Sequence, residues 1–158
     1  RRLFSQRYVC LMRKGHRLDK RKISLAEFST AEHLVVISAG TGHGKVDELL
    51  LRSGVARTVL LTVPHYVSVG HILRGSDLLA TVPERLADRL LEPFGLVKVP
   101  HPAKLPDVAI NVFWHAKYHR SPANRWLRGV VFDLFGSEET RPPKGRGQSP
   151  TVAAPGRS

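Results

Sequence analysis

The sequence predicts an α/β fold, a parallel or mixed sheet with helices packed on its faces. Three observations lead there. Between His33 and Val99 short apolar runs alternate with segments of helical periodicity. The run His33–Ser38 (HLVVIS) carries two valines and an isoleucine, which suits a strand covered on both faces. That run leads through a glycine-rich turn straight into an amphipathic helical pattern ending at Gly54.

The elements follow in order. Tyr8–Met12 reads as a strand, with Cys10 between Tyr8 and Met12 at strand spacing. Arg13–Lys22 reads as a basic loop. Ser24 and Glu27 stand in an S-x-x-E capping box, so a short helix is expected from Ser24 to about Thr30. The β-turn-α stretch 33–54 comes next, its helix placing Val46, Leu49, Leu50 and, less strictly, Leu51 at helical spacing. Arg57–Val63 reads as a second interior strand, ended by Pro64, and Val67–Leu73 as a short helix. Leu78–Val82 is a third strand. Pro83 precedes a helix over Glu84–Leu91 with Leu86, Ala87, Leu90 and Leu91 inward. Leu96–Val99 is a fourth strand, and the proline-bearing segment 100–106 a crossing loop. Val108–Tyr118 reads as one long strand. Ser121 and Pro122 then open a helix with Trp126, Leu127, Val130, Val131, Leu134 and Phe135 on one face and Gly136 as its stop. From Ser137 on, Pro, Gly, Ser and Arg dominate, which predicts a disordered tail over 137–158.

Composition narrows the functional classes. The chain has 158 residues, 42% of them apolar, enough for one domain with a core. The longest apolar runs are far too short to span a bilayer, and no signal-peptide pattern follows the basic start. Cys10 is the one cysteine, so no internal disulfide is possible and a reducing cytosol is the simplest home. Net charge is +12, but residues 1–22 hold nine Lys/Arg against Asp19 alone, while residues 23–136 hold twelve against ten Asp/Glu. A dedicated nucleic-acid face would show basic clusters inside the fold with aromatics between them; here the excess sits at the ends. The basic N-terminal segment can touch phosphates in a salt-sensitive way.

Candidate chemistry centres on the turn Ala39, Gly40, Thr41, Gly42, His43. A turn between a strand's carboxyl end and a helix's amino end presents unpaired N–H groups and the positive end of the helix dipole, a natural anion site. His43 adds a side-chain donor. The same glycines also serve a compact βα turn with no ligand, and the pattern leaves both readings open. The stretch lacks the spacing of a phosphate-binding P-loop and of the dinucleotide fingerprint, and no G-x-S-x-G nucleophile context occurs. His65, beside Pro64 and Tyr66 at a strand end, is placed to line a ligand cleft or to be an ordinary loop histidine. His115 and His119 lack a third ligand at metal spacing, so no metal and no cofactor is expected.

The stretches RYVCLMRKGH, GTGHGKVDELLLRSGV, VPHY, SDLLATVPERLA, PFGL, PHPAKLPDVAINVFWHAKYH and ANRWLR closely resemble the effector-binding domain of LysR-type transcriptional regulators. They look most like the branch controlling naphthalene, salicylate and nitrotoluene degradation. The likeness covers about Leu3 to Gly136. It implies a periplasmic-binding-protein-like (type 2) effector domain over 1–136, holding a small aromatic carboxylate (salicylate-like) between two lobes. By that comparison residues 8–100 form a complete second lobe and residues 108–136 return to a first lobe that is only partly present. The rest of the first lobe and the DNA-binding head are expected upstream of Arg1, where the chain starts without methionine on what reads as the middle of a fold. Carried over by motif, residues 39–43 match inducer-contacting positions, His43 most strongly. Gln6 matches a position lining the pocket at the lobe crossing, and Ile110 an apolar wall. Arg85 matches a position linked to inducer response without direct contact. Arg17 stands where relatives often have proline.

The resemblance implies a cytoplasmic, non-enzymatic regulator that is a homo-oligomer, dimer or tetramer, and meets DNA through another domain. The alternatives are a small-molecule-binding protein or enzyme on the same fold, and a non-specific nucleic-acid binder acting through the basic N-terminus. The truncation also predicts partly exposed Trp126, Val130 and Phe135.

Overall fold

A computed structural model of the chain describes residues 1–37 and 44–136. The elements are β1 (Arg2–Gln6), β2 (Tyr8–Arg13), α1 (Leu25–Thr30), β3 (Glu32–Val36), α2 (Gly44–Arg52), β4 (Thr58–Val63), α3 (Val69–Leu73), β5 (Leu79–Pro83), α4 (Glu84–Phe94), β6 (Leu96–Pro100), β7 (Val108–Asn111) and α5 (Pro122–Phe135). The expected disordered tail, 137–158, lies outside the described residues.

The chain divides into two compact units. One is Ser5–Ile110; the other joins Arg1–Phe4 to the segment beginning at Asn111. The larger unit holds a five-stranded mixed sheet in the order β4-β3-β5-β2-β6. In it β3 runs parallel to both β4 and β5, while β2 runs antiparallel to β5 and β6. Residue alternation along the central strand β2 divides the core into two layers. Val9 and Leu11 face one side with Leu34, Leu73 and Val82, where α4 adds Ala87, Leu90 and Phe94. Cys10 and Met12 face the other with Phe28 of α1 and Val46 and Leu50 of α2. The predicted α/β sandwich is therefore present, with helices on both faces of a mixed sheet.

Local chemistry explains most boundaries. Ser24 and Glu27 close a reciprocal capping box at the start of α1. Gly95 takes φ 62°, and its N–H returns to the last carbonyls of α4, which lets that helix run past Leu91 to Phe94 with Pro93 in its final turn. The basic loop is pinned from inside by His16, only 4% exposed: its Nε2–H donates to the Asp77 carbonyl and its Nδ1 accepts from the Leu18 N–H.

Four expectations need correction. Among the described residues β4 is the edge of the sheet and not an interior strand; it pairs there with β3 alone, leaving Val59, Leu60 and Leu61 exposed. β1 is a strand the pattern missed, paired with β7 in a separate two-stranded ribbon. The long strand over 108–118 stops at Asn111, because the His115 imidazole accepts the Lys117 N–H and winds 116–118 into a tight helical turn. On α5 the buried residue is Phe132, which lies outside the apolar face named from the sequence; Leu127 and Leu134 of that face are exposed, and Trp126, Phe135 and, in part, Val130 are exposed as expected.

Candidate functional site

The larger unit gathers its polar groups around the carboxyl end of β3. Val35 and Val36 end that strand, α2 begins at Gly44, and Asp47 is the acidic residue in its first turn. Arg57, directly before β4, turns its guanidinium inward, is 6% exposed, and pairs with the Asp47 carboxylate, itself 30% exposed. Tyr8, Tyr66 and Thr81 join Asp47 and Arg57 around a cavity of about 10 Å³, the space of one water molecule. Tyr8 comes from the head of β2, Thr81 from β5, and Tyr66 from the turn after β4. Burial raises the pKa of both phenols, which keeps the hydroxyls protonated.

Below that cavity lies a second buried polar layer. His33, fully buried on β3, donates its Nε2–H to the Phe28 carbonyl at 2.8 Å, and its ring meets the Phe28 edge at 4.5 Å. His101 meets the same ring at 4.8 Å, accepts the Ala103 N–H at Nδ1 and approaches the Thr81 hydroxyl at 3.3 Å. Burial lowers both imidazoles to about 4, and the positive charge of Arg57 pushes each further the same way. Both histidines are therefore neutral near pH 7. Cys10 is fully buried in this layer, and burial pushes its thiol up, as expected of an inert core cysteine.

The residues named from the sequence fall in different places. Ala39, Gly40, Thr41, Gly42 and His43 lie outside the described residues, between β3 and α2. Gln6 ends β1, and its Oε1 is buried with no hydrogen-bond partner among the described residues. Ile110, on β7, is half-buried. Arg85 is exposed on the first turn of α4 and lines a shallow groove with Asp88 and Arg89. Its neighbour Glu84 is clamped by Arg7, Nε to Oε2 at 2.8 Å and a second guanidinium nitrogen to Oε1 at 2.9 Å. Lys98 reaches the same carboxylate at 2.9 Å, and these bonds, Arg7 first, hold it down to about 2. His65 is exposed and starts the turn 66–68, its carbonyl accepting the Ser68 hydroxyl at 3.1 Å; it does not line the cavity.

The cavity residues Tyr8, Asp47, Arg57, Tyr66 and Thr81 escaped the sequence reading. Arg57 reads there as the first residue of a strand, and nothing in the spacing of Asp47 and Arg57 announces a buried pair. The smaller unit has its own groove of about 520 Å³, where Arg128 lies over the Trp114 ring at 4.5 Å and Arg1 over Phe132 at 4.8 Å. No helix among the described residues is long and apolar enough to cross a membrane.

Comparison with known proteins bears on this geometry. The family model described as LysR substrate binding domain matches residues 1–135. The chain is 56% identical over 135 residues to the HTH-type transcriptional activator NagR of Ralstonia sp, covering 85% of this chain and 45% of that protein. Identity and coverage are the same for the HTH-type transcriptional activator NahR of Pseudomonas putida. The chain thus spans about half the length of the curated relatives it matches. Among solved structures, the regulatory domain of MexT, a transcriptional activator in Pseudomonas aeruginosa, matches with a TM-score of 0.68 at 28% identity, covering 85% of this chain and 66% of that one.

Proposed function

The chain belongs to the LysR substrate-binding domain family, and on that premise we propose that it is the inducer-sensing part of a cytoplasmic transcriptional regulator of aromatic degradation. The inducer is a small aromatic carboxylate of the salicylate type, held between two lobes. One observation carries this reading: β3, buried inside the sheet, delivers the chain at its carboxyl end to the first turn of α2. That is where open α/β sheets receive ligands and where a helix amino end favours an anion.

In this reading the carboxylate meets the backbone N–H groups of residues 39–43 and the His43 side chain, by a charge-assisted hydrogen bond. The helix end contributes about 0.3–1 kcal/mol, rising to about 2 when partly buried. The Oε1 of Gln6, buried and without a hydrogen-bond partner among the described residues, supports a ligand that also carries a donor, as the ortho-hydroxyl of salicylate does. Ile110 supplies apolar wall. Arg85 acts on the response without touching the ligand; it follows Glu84, which is clamped by Arg7, the residue next to Gln6. Binding shifts a population of lobe arrangements by differential affinity, and a homo-oligomer carries that shift to DNA through another part of the protein.

The test is calorimetric titration with salicylate of the wild-type chain and of His43→Ala. Saturable binding that weakens at least ten-fold in the variant is the expected result. Equal affinity of the two proteins would remove His43 from the site.

A further inference from the structure

An acidic side chain in the first turn of a helix is ordinarily favourable, because it answers the positive end of the dipole. At a helix end that receives a carboxylate ligand the same side chain is a competitor and repels the ligand. Asp47 holds that position on α2, and with Val35 and Val36 it lines the cavity at the carboxyl end of β3. Its carboxylate does not stand alone. Arg57 reaches it from the far end of the α2–β4 connection, and at 6% exposure the guanidinium is far more enclosed than a surface ion pair requires. The two charges are also felt together at His33, where Arg57 and Asp47 act in opposite directions.

We propose that Arg57 is the charge-compensating residue of the inducer site: by pairing with Asp47 it cancels the negative charge in the first turn of α2 and so lets that end of the sheet accept an anionic ligand. The inference rests on the ligand reading above and adds a positioning residue and a ligand preference to it. Arg57 does not touch the inducer. It acts through Asp47, and its effect is confined to ligands that carry negative charge. Unit charges in a partly enclosed site still feel one another beyond contact distance, so an effect of about ten-fold in affinity, about 1.4 kcal/mol, is the expected scale.

The test compares salicylate with its neutral analogue salicylamide on the wild-type chain, Arg57→Met, Asp47→Asn and the double variant, each checked for cooperative unfolding. Arg57→Met should weaken salicylate about ten-fold and change salicylamide less than two-fold. Adding Asp47→Asn to it should restore salicylate binding. If both ligands weaken alike, Arg57 serves packing only and the proposal falls; it falls equally if neither changes. Should Arg57→Met fail to fold, Asp47→Asn decides the matter. Removing the carboxylate while Arg57 stays should raise salicylate affinity about three-fold, and no rise overturns the proposal. A wild-type chain that binds no salicylate overturns the ligand reading itself, a failure seen before any variant is made.

Discussion

β2 and β4 are apolar runs of equal length, YVCLMR and TVLLTV, with opposite fates. β2 is bonded on both sides, by β5 and β6, and its four middle residues are buried. β4 is bonded to β3 alone and leaves Val59, Leu60 and Leu61 exposed. Apolar, β-prone composition specifies a strand but not its rank in the sheet. The rank comes from topology, from which strands happen to flank it and which helices cross above and below. An exposed apolar edge is also a surface open to further pairing, whereas the centre has no spare backbone groups to offer.

The largest expected effect makes the contrast measurable. Leu11→Ala in β2 removes a fully buried side chain and should cost about 3 kcal/mol in denaturant unfolding. Leu60→Ala in β4, 60% exposed, should cost less than about 0.5 kcal/mol. Equal losses would break the distinction.

Next is pH, read at His33 on β3 and at His101 just after β6. Burial holds His33 and His101 near 4 in the folded chain against an ordinary value of 6.5. Below pH 6.5 the unfolded chain takes up protons that the folded one refuses. The stability these imidazoles contribute is thus full above pH 6.5 and is lost as pH falls towards 4, by on the order of 2–3 kcal/mol for each. Unfolding midpoints recorded between pH 7 and pH 4 should show the fall, and His33→Gln should flatten it.

A smaller effect belongs to the layer of the central strand that α3 and α4 cover. A Cβ on Gly70 would stand 2.7 Å from the Phe94 ring. Gly70→Ala should cost about 1–2 kcal/mol in thermal unfolding, overpacking outweighing the gain in helix propensity. Smallest of the buried-side effects, Ser24→Ala opens the capping box of α1 at the periphery and should cost about 1 kcal/mol, seen as a lowered denaturation midpoint.

Those same regions show what the sequence made legible. The two periodicities located nearly every element of the larger unit, and the Ser24–Glu27 box and the Pro83–Glu84 start fell where local chemistry put them. Local pattern failed where a distant partner decided the outcome. β1 is a strand because β7 pairs with it, and the 108–118 run gives way to a helical turn where the His115 imidazole accepts the Lys117 N–H. The proposed site divides in the same way. The residues 39–43 and Gln6 stand in motifs that can be read along the chain. Arg57 and Tyr66 come to the cavity through neighbours from four separate segments, which no one-dimensional pattern carries.

The central claim is that an aromatic carboxylate binds at the carboxyl end of β3. Amide resonances of the isotope-labelled chain, followed while salicylate is added, test it most directly. Shifts that saturate together at Gly40, Gly42 and His43, with weaker ones at Gln6 and Asp47, are the predicted result. Shifts confined to Trp114, Arg125 and Arg128 in the groove of the smaller unit, or no saturable shifts at all, would contradict it.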